Sequence, residues 1–115
     1  MTAQHPEFAA RAGLEVNAEY SAVRSLGTAA LELAYVAAGW ADATAFATLN
    51  SWDVAAGFHI VRQAGGSVRT WPGVLVDADA PAHLQPACVA CAGPERLELL
   101  DRLQDELQRE RERSA

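Results

Sequence analysis

The sequence predicts an α/β fold, a layered and mostly parallel sheet flanked by helices. Three observations lead there. Short strand-like runs (ADATAFAT, SVRTW, GVLVD, ACVACA) alternate with helix-length apolar runs, and that alternation is how layered α/β proteins with parallel strands are written. The run AALELAYVAAG is apolar on nearly every side, broken only by Glu32 and Tyr35, which places a helix inside the molecule. ACVACA carries no polar residue and reads as a buried strand.

In chain order, a loose lead-in over residues 1–8 precedes a short helix around Ala9 to Glu19. The apolar helix follows Gly27-Thr28 and stops at Gly39, a natural residue for the left-handed C′ position. ADATAFAT puts Thr44 and Phe46 on one parity and alanines on the other, a weak strand signal. Ser51 is a suitable N-cap for a helix through VAAGFHIVRQA, and Asp53 falls in its first turn, where the dipole favours a carboxylate. That helix ends at Gly65-Gly66, before the strand SVRTW, a Pro72-Gly73 turn and the strand GVLVD. The loop DADAPAHLQP leads to ACVACA, and Gly93-Pro94 opens a last helix by the preference for proline at the first helical position. In it Leu97, Leu100, Leu103 and Leu107 share a stripe, and Glu98–Arg102 and Asp105–Arg109 are favourable i,i+4 pairs. Residues 109–115 read as a frayed, solvated tail.

With 115 residues, the chain makes one domain spanning 1–115. The formal charge of −6 opposes a phosphate-backbone binder, because no basic surface would drive counterion release. No apolar run approaches the roughly 20 residues that span a bilayer, and the N-terminus lacks a signal-peptide core. A soluble, cytoplasmic protein without nucleic-acid or membrane partners is expected. All basic residues are Arg, which we read as genomic composition bias.

Cys88 and Cys91 form a C-x-x-C pair, a spacing used by redox couples and half-sites for zinc. No second Cys/His pair follows, and alternation along a strand would put the two on opposite faces. Buried structural thiols are expected. His5, His59 and His83 have no ligand partner at i+3 or i+4. Phosphate-loop, dinucleotide and nucleophile-elbow motifs do not occur. No catalytic residue is assigned.

Two local constellations can carry chemistry. Gly27-Thr28-Ala29, at the start of the apolar helix, either lets an anion or hydroxyl approach free backbone N–H groups or is a tight turn packed against a neighbour. Asp53 follows a strand and a short connection, so it falls outside the carboxyl end of that strand, where α/β sheets bind ligands. It reads equally as a magnesium ligand or as a helix-start residue.

Together the stretches RSLGTAALELAYVAAGWADA and SWDVAAGFHIVRQAGG resemble the C-terminal half of the inositol monophosphatase family. The carrying motifs are R-S-x-G-T-A-A at Arg24 to Ala30 and W-D-V-A-A-G at Trp52 to Gly57, the latter continued to Gly65-Gly66. The likeness runs from about Arg24 through the last helix. It implies a phosphate-monoester hydrolase working with two or three Mg2+ ions, with Asp53 as a metal ligand and Gly27, Thr28 and Ala29 lining the substrate pocket.

Three departures qualify that expectation. The family's first-half motifs, a Glu-Glu pair and Asp-Pro-x-Asp-Gly-Thr, supply most metal ligands and are absent here; Asp77-Ala-Asp79-Ala-Pro81 is only a mimic in the wrong order. Inositol-specific members carry a glutamate seven residues before the motif aspartate, where this chain has Phe46. The chain also begins about where the family's second domain begins. The expected function is the substrate- and metal-lining half of a magnesium-dependent phosphatase, inactive without a separate N-terminal half. The rivals are a non-catalytic binding or self-association module and a truncated product. Expected partners are a complementing N-terminal half or another copy, meeting apolar surface beside Gly27 to Ala30, Phe46 and Trp52, with a small phosphorylated substrate if the site is completed.

Overall fold

The computed structural model describes residues 6–20, 22–23, 28–47, 51–74 and 76–114. The elements in order are α1 (Pro6–Glu19), α2 (Ala29–Ala37), β1 (Ala43–Phe46), α3 (Ser51–Gln63), β2 (Ser67–Trp71), a 3-10 turn (Ala82–Leu84), β3 (Ala87–Cys91) and α4 (Glu98–Ser114).

The sheet has three strands in the order β1-β3-β2, and both ladders are antiparallel. This corrects the expectation of a mostly parallel sheet. The alternation of β1, α3 and β2 does make those two strands run in the same direction, since Cys91 pairs with both Ala43 and Ser67, the first residue of each. They are not neighbours, however. β3 returns between them in the opposite direction, so every hydrogen-bonded pair is antiparallel. Strand-helix-strand spacing fixes the direction of the two strands it joins and leaves the inserted strand unspecified. The expected strand over 73–77 also does not form among its described residues, which follow a turn at Gly73, where φ is +68°.

β3 is buried at all five positions, and its two faces serve different layers. Cys88 and Ala90 join Leu33 and Val36 of α2 with Val54, Phe58 and Val61 of α3. Ala87, Val89 and Cys91 pack with Trp71 under Leu100 of α4 and Leu97 just before it. Leu103 and Leu107 turn instead toward Phe8 and Ala12 of α1. The leucine stripe of α4 is thereby shared between the sheet and α1. C-x-x-C is a strand spacing that sends one thiol to each layer, as expected.

Both middle helices end in the same way. In α2, Gly39 (φ +78°) donates to Val36 O and Trp40 N–H to Tyr35 O. The Trp40 and Tyr35 rings meet edge to face at 5.3 Å, the apolar contact that accompanies such a cap. In α3, Gly65 (φ +90°) donates to Arg62 O and Gly66 to Val61 O. The two glycines answer different needs. Gly65 takes a left-handed conformation in open space, whereas a Cβ on Gly66 would lie 2.5 Å from Cys91 O and 3.0 Å from Val61 O. Gly66→Ala is expected to destabilise by about 1 to 3 kcal/mol, because it forces backbone apart. Gly65→Ala should cost about 1 to 2 kcal/mol through conformational strain alone. Urea midpoints of the two variants check this, and an unchanged Gly66→Ala midpoint would show that the close approach is not rigid.

α4 starts later than Gly93-Pro94 would suggest, because residues 92–95 are bends and Arg96 is drawn across the sheet. Its guanidinium forks onto Asp101 (2.8 and 3.1 Å) and donates to Val89 O and Ser67 Oγ (both 2.9 Å). The paired carboxylate raises the pKa of Arg96. Asp105 does not pair with Arg109 in the structure. It accepts from Arg69 (2.9 Å) and from the Trp71 indole (2.8 Å), with Arg69 stacked on the Trp71 ring. Steps of four on α4 match steps of two on β2, and the helix is laced along that strand.

Candidate functional site

α2 ends where β1 begins, and α3 begins after β1 ends. Both helices therefore start at the end of the sheet where β1 and β2 finish and β3 begins. Farther along, about two turns into α3, the helices touch closely: a Cβ on Gly57 would come within 2.6 Å of Leu33 Cδ1, so the last glycine of the W-D-V-A-A-G run is where α3 meets α2. First-turn N–H groups have no acceptor within their own helix, and two such ends side by side are chemically suited to an anion.

Thr28 is the N-cap of α2. Its Oγ1 accepts from Leu31 N at 3.0 Å, and its backbone is extended. The hydroxyl is therefore engaged in capping. Ala29 opens the helix, half-buried against the α2–α3 core. Gly27 lies outside the described residues. Asp53 is the third residue of α3, in the first turn as expected, but its side chain and those of Ser51 and Trp52 are outside the described set. Phe46 ends β1 and packs, half-buried, against the α2–α3 core.

Among the described residues, no three His, Cys, Asp or Glu side chains converge in a way that could hold a metal ion. The chain as described does not by itself fit a magnesium shell, which needs several oxygens in octahedral order. Asp77 and Asp79 belong to a local turn in which Asp77 Oδ1 accepts from Asp79 N (3.1 Å) and Gln85 staples the loop through Ala78 O and Ala80 O. His59 is exposed on α3 and His83 is exposed in the 3-10 turn; neither is a core histidine. His5 lies outside the described residues.

On the other face of the sheet, α4 ties down the same strand ends. Gln104 Nε2 donates to Phe46 O (2.8 Å) and reaches Cys88 O (3.5 Å). Gln108 both accepts from Gly73 N (2.9 Å) and donates to Gly73 O (2.7 Å). Arg111 donates to Ala47 O at 2.8 Å, and burial lowers its pKa. The sequence puts Arg111 in a solvated tail and gives Gln104 and Gln108 no role. The signal passed over is their own i, i+4, i+7 spacing, a polar stripe beside the leucine stripe.

The two thiols are free, buried and on opposite faces. Burial pushes the Cys88 thiol up to about 12, against about 8.5 for an ordinary one. The folded state favours the neutral thiol, so this contribution to stability is complete below about pH 8.5 and is lost as pH rises toward 12. Stability should therefore fall across that alkaline window, and less steeply in Cys88→Ala. At pH 8 the folded chain should resist a thiol reagent that reacts fully after urea unfolding. Rapid labelling of folded protein would contradict the burial.

Among the described residues, no helix is long and apolar enough to cross a membrane. A family model for the inositol monophosphatase family matches residues 2–110. The chain is 53% identical over 58 residues to an inositol-1-monophosphatase of Mesorhizobium japonicum, a segment covering 50% of this chain and 22% of that protein. It is 54% identical over 59 residues to the Nus factor SuhB of Xylella fastidiosa, covering 51% of this chain and 20% of the other. A fructose-1,6-bisphosphatase/inositol-1-monophosphatase of Thermotoga maritima is 46% identical over 56 residues, covering 49% and 22%. The matched segment spans about a fifth of the length of these curated relatives.

Proposed function

Since the chain belongs to the inositol monophosphatase family, we propose that it is the substrate- and metal-lining half of a magnesium-dependent phosphate-monoester phosphatase, completed by a separate N-terminal half. One observation carries the reading. The two motif-bearing helices, α2 and α3, begin side by side at the end of the sheet where β1 and β2 finish. Asp53, the residue matching the family's metal ligand, falls in the first turn of the second.

In this reading Mg2+ would supply Lewis-acid activation of water and of the leaving oxygen. The chain's own share is narrower. First-turn amides of α2 and α3 face the phosphate, the Thr28 hydroxyl keeps the first of these helices closed and oriented, and Asp53 contributes one carboxylate. Phe46 stands where inositol-specific members carry a glutamate, so a polyol hydroxyl has no partner at that position. We place the phosphatase in the cytoplasm.

A second reading starts from the sequence, which lacks the Glu-Glu pair and the Asp-Pro-x-Asp-Gly-Thr segment. In it the chain is a non-catalytic binding module of the same fold. The deciding experiment mixes the purified chain with a first-half polypeptide taken from a full-length relative and assays phosphate release with magnesium. Turnover that needs both polypeptides supports the phosphatase reading. Failure of the two to associate or turn over leaves the binding module.

A further inference from the structure

We infer that Gln104 and Arg111 of α4 are positioning residues for the candidate site: from the far face of the sheet they fix the strand end that leads to Asp53. Gln104 Nε2 donates to the carbonyl of Phe46, the last residue of β1, and Arg111 Nη2 donates to that of Ala47, the next residue, both at 2.8 Å. Their spacing is close to two full helical turns, so both side chains leave α4 on one side. Ala47 is also packed against the α1–α4 cluster of Phe8, Ala12, Leu103 and Leu107. Soon after Ala47, α3 starts at Ser51, and Asp53 stands in its first turn.

Stability alone does not account for these two side chains. Gln104 is 7% exposed and its Oε1 is buried with no partner among the described residues, so part of the amide is desolvated without return. Arg111 is half-buried, burial works against its charge, and it makes no ion pair among the described residues. Beside the other end of α4, by contrast, Arg96 is answered by the Asp101 carboxylate. Apolar side chains of similar volume would seat the helix at less cost. What the polar pair adds is direction. A hydrogen bond fixes where a carbonyl points, and apolar contact does not. Groups that act on a substrate have to be held within about 0.5 Å by neighbours that are themselves locked, and Gln104 and Arg111 do this through the backbone of β1.

The hold on the strand end stands on this geometry, and its consequence for turnover rests on the phosphatase reading. The two are tested apart. In the full chain alone, NMR relaxation reads backbone order. Arg111→Leu should lower the order parameters of Ala47 and Asp53 from about 0.85 to below about 0.6, with β3 unchanged. Arg111→Lys, which keeps a donor, should recover most of that loss. Gln104→Met should act in the same direction as Arg111→Leu. Order already low in the parent, or untouched by the substitutions, would overturn the inference. So would a fall spread evenly over every element, the mark of a merely weakened fold.

Joined to a complementing first half, Arg111→Leu should lower kcat about tenfold or more with little change in KM, because small misplacements of a reacting group carry penalties of that order. Asp101→Asn, which loosens the other end of α4, should leave kcat near the parent value. An equal fall in Asp101→Asn would reduce Arg111 to a stability role and sink the inference. If order falls as expected but the parent pair releases no phosphate, the phosphatase reading fails and the positioning of the strand end stands.

Discussion

Asp101→Asn is expected to destabilise the fold by about 2 to 4 kcal/mol, a large part of the roughly 5 to 15 kcal/mol that holds a domain of this size. Asp101 is 8% exposed and receives both arms of the Arg96 fork, with Arg69 3.8 Å away. Arg96 in turn reaches Val89 O on the central strand and Ser67 on its neighbour. Neutralising the carboxylate leaves a guanidinium half-sunk between the sheet and α4 with only neutral acceptors. The cost stays in the lower part of the range for buried pairs because Arg96 keeps 25% of its side chain in solvent. Urea unfolding measures it. Arg102→Ala, which removes an exposed pair to Glu106, should change stability by less than about 0.5 kcal/mol. If the two variants unfold at the same midpoint, the Arg96–Asp101 clamp is not what joins α4 to the sheet.

The second large effect concerns catalysis. Alone, the chain should release no measurable phosphate from small monoesters in several millimolar magnesium. By family resemblance it contributes one carboxylate, Asp53, and one carboxylate does not organise a two-metal clamp. With a complementing first half, Asp53→Asn should lower turnover on the order of a hundredfold or more, since even outer-shell changes at metal sites cost about 10- to 100-fold. The same substitution should alter stability by no more than about 1 kcal/mol, the dipole contribution of a first-turn carboxylate. Magnesium-dependent turnover by the chain alone, lost in Asp53→Asn, would show that the first-half ligands are dispensable. Unfolding of Asp53→Asn would instead assign that carboxylate to capping.

What the sequence revealed follows from the range of each interaction. The strands SVRTW and ACVACA and the stop at Gly39 depend on neighbours a few residues away and stand where local patterning put them, while Ser51, read as a cap, is the first residue of α3. The direction of β3 depends on which partners it finds across more than forty residues, from Ala43 to Cys91, and no local pattern encodes that. GVLVD has the composition of a strand, but it opens on a turn at Gly73, where φ is +68°, and none of its described residues joins the sheet. The proline at position 94 suits a helix start, yet residues 92–95 bend, Arg96 is held by its hydrogen bonds across the sheet, and the helix begins only at Glu98. Of the candidate site, the two helix starts were legible because glycine, threonine and aspartate have strong positional preferences there. The polar stripe Gln104, Gln108 and Arg111 was not, because a side chain that bonds a distant carbonyl looks in sequence like one that bonds water.

The position of β3 at the centre of the sheet also governs how the protein is made. Both ladders belong to the strand that leaves the ribosome last. Until Ala87–Cys91 has emerged, the nascent chain holds two strands with no partner and an apolar helix pair with nothing to cover it. A chain ending before Ala87 lacks both ladders of this sheet. Synthesis and folding are thereby coupled at the C-terminal end, and a holdase chaperone would have its longest engagement in the interval between α3 and β3.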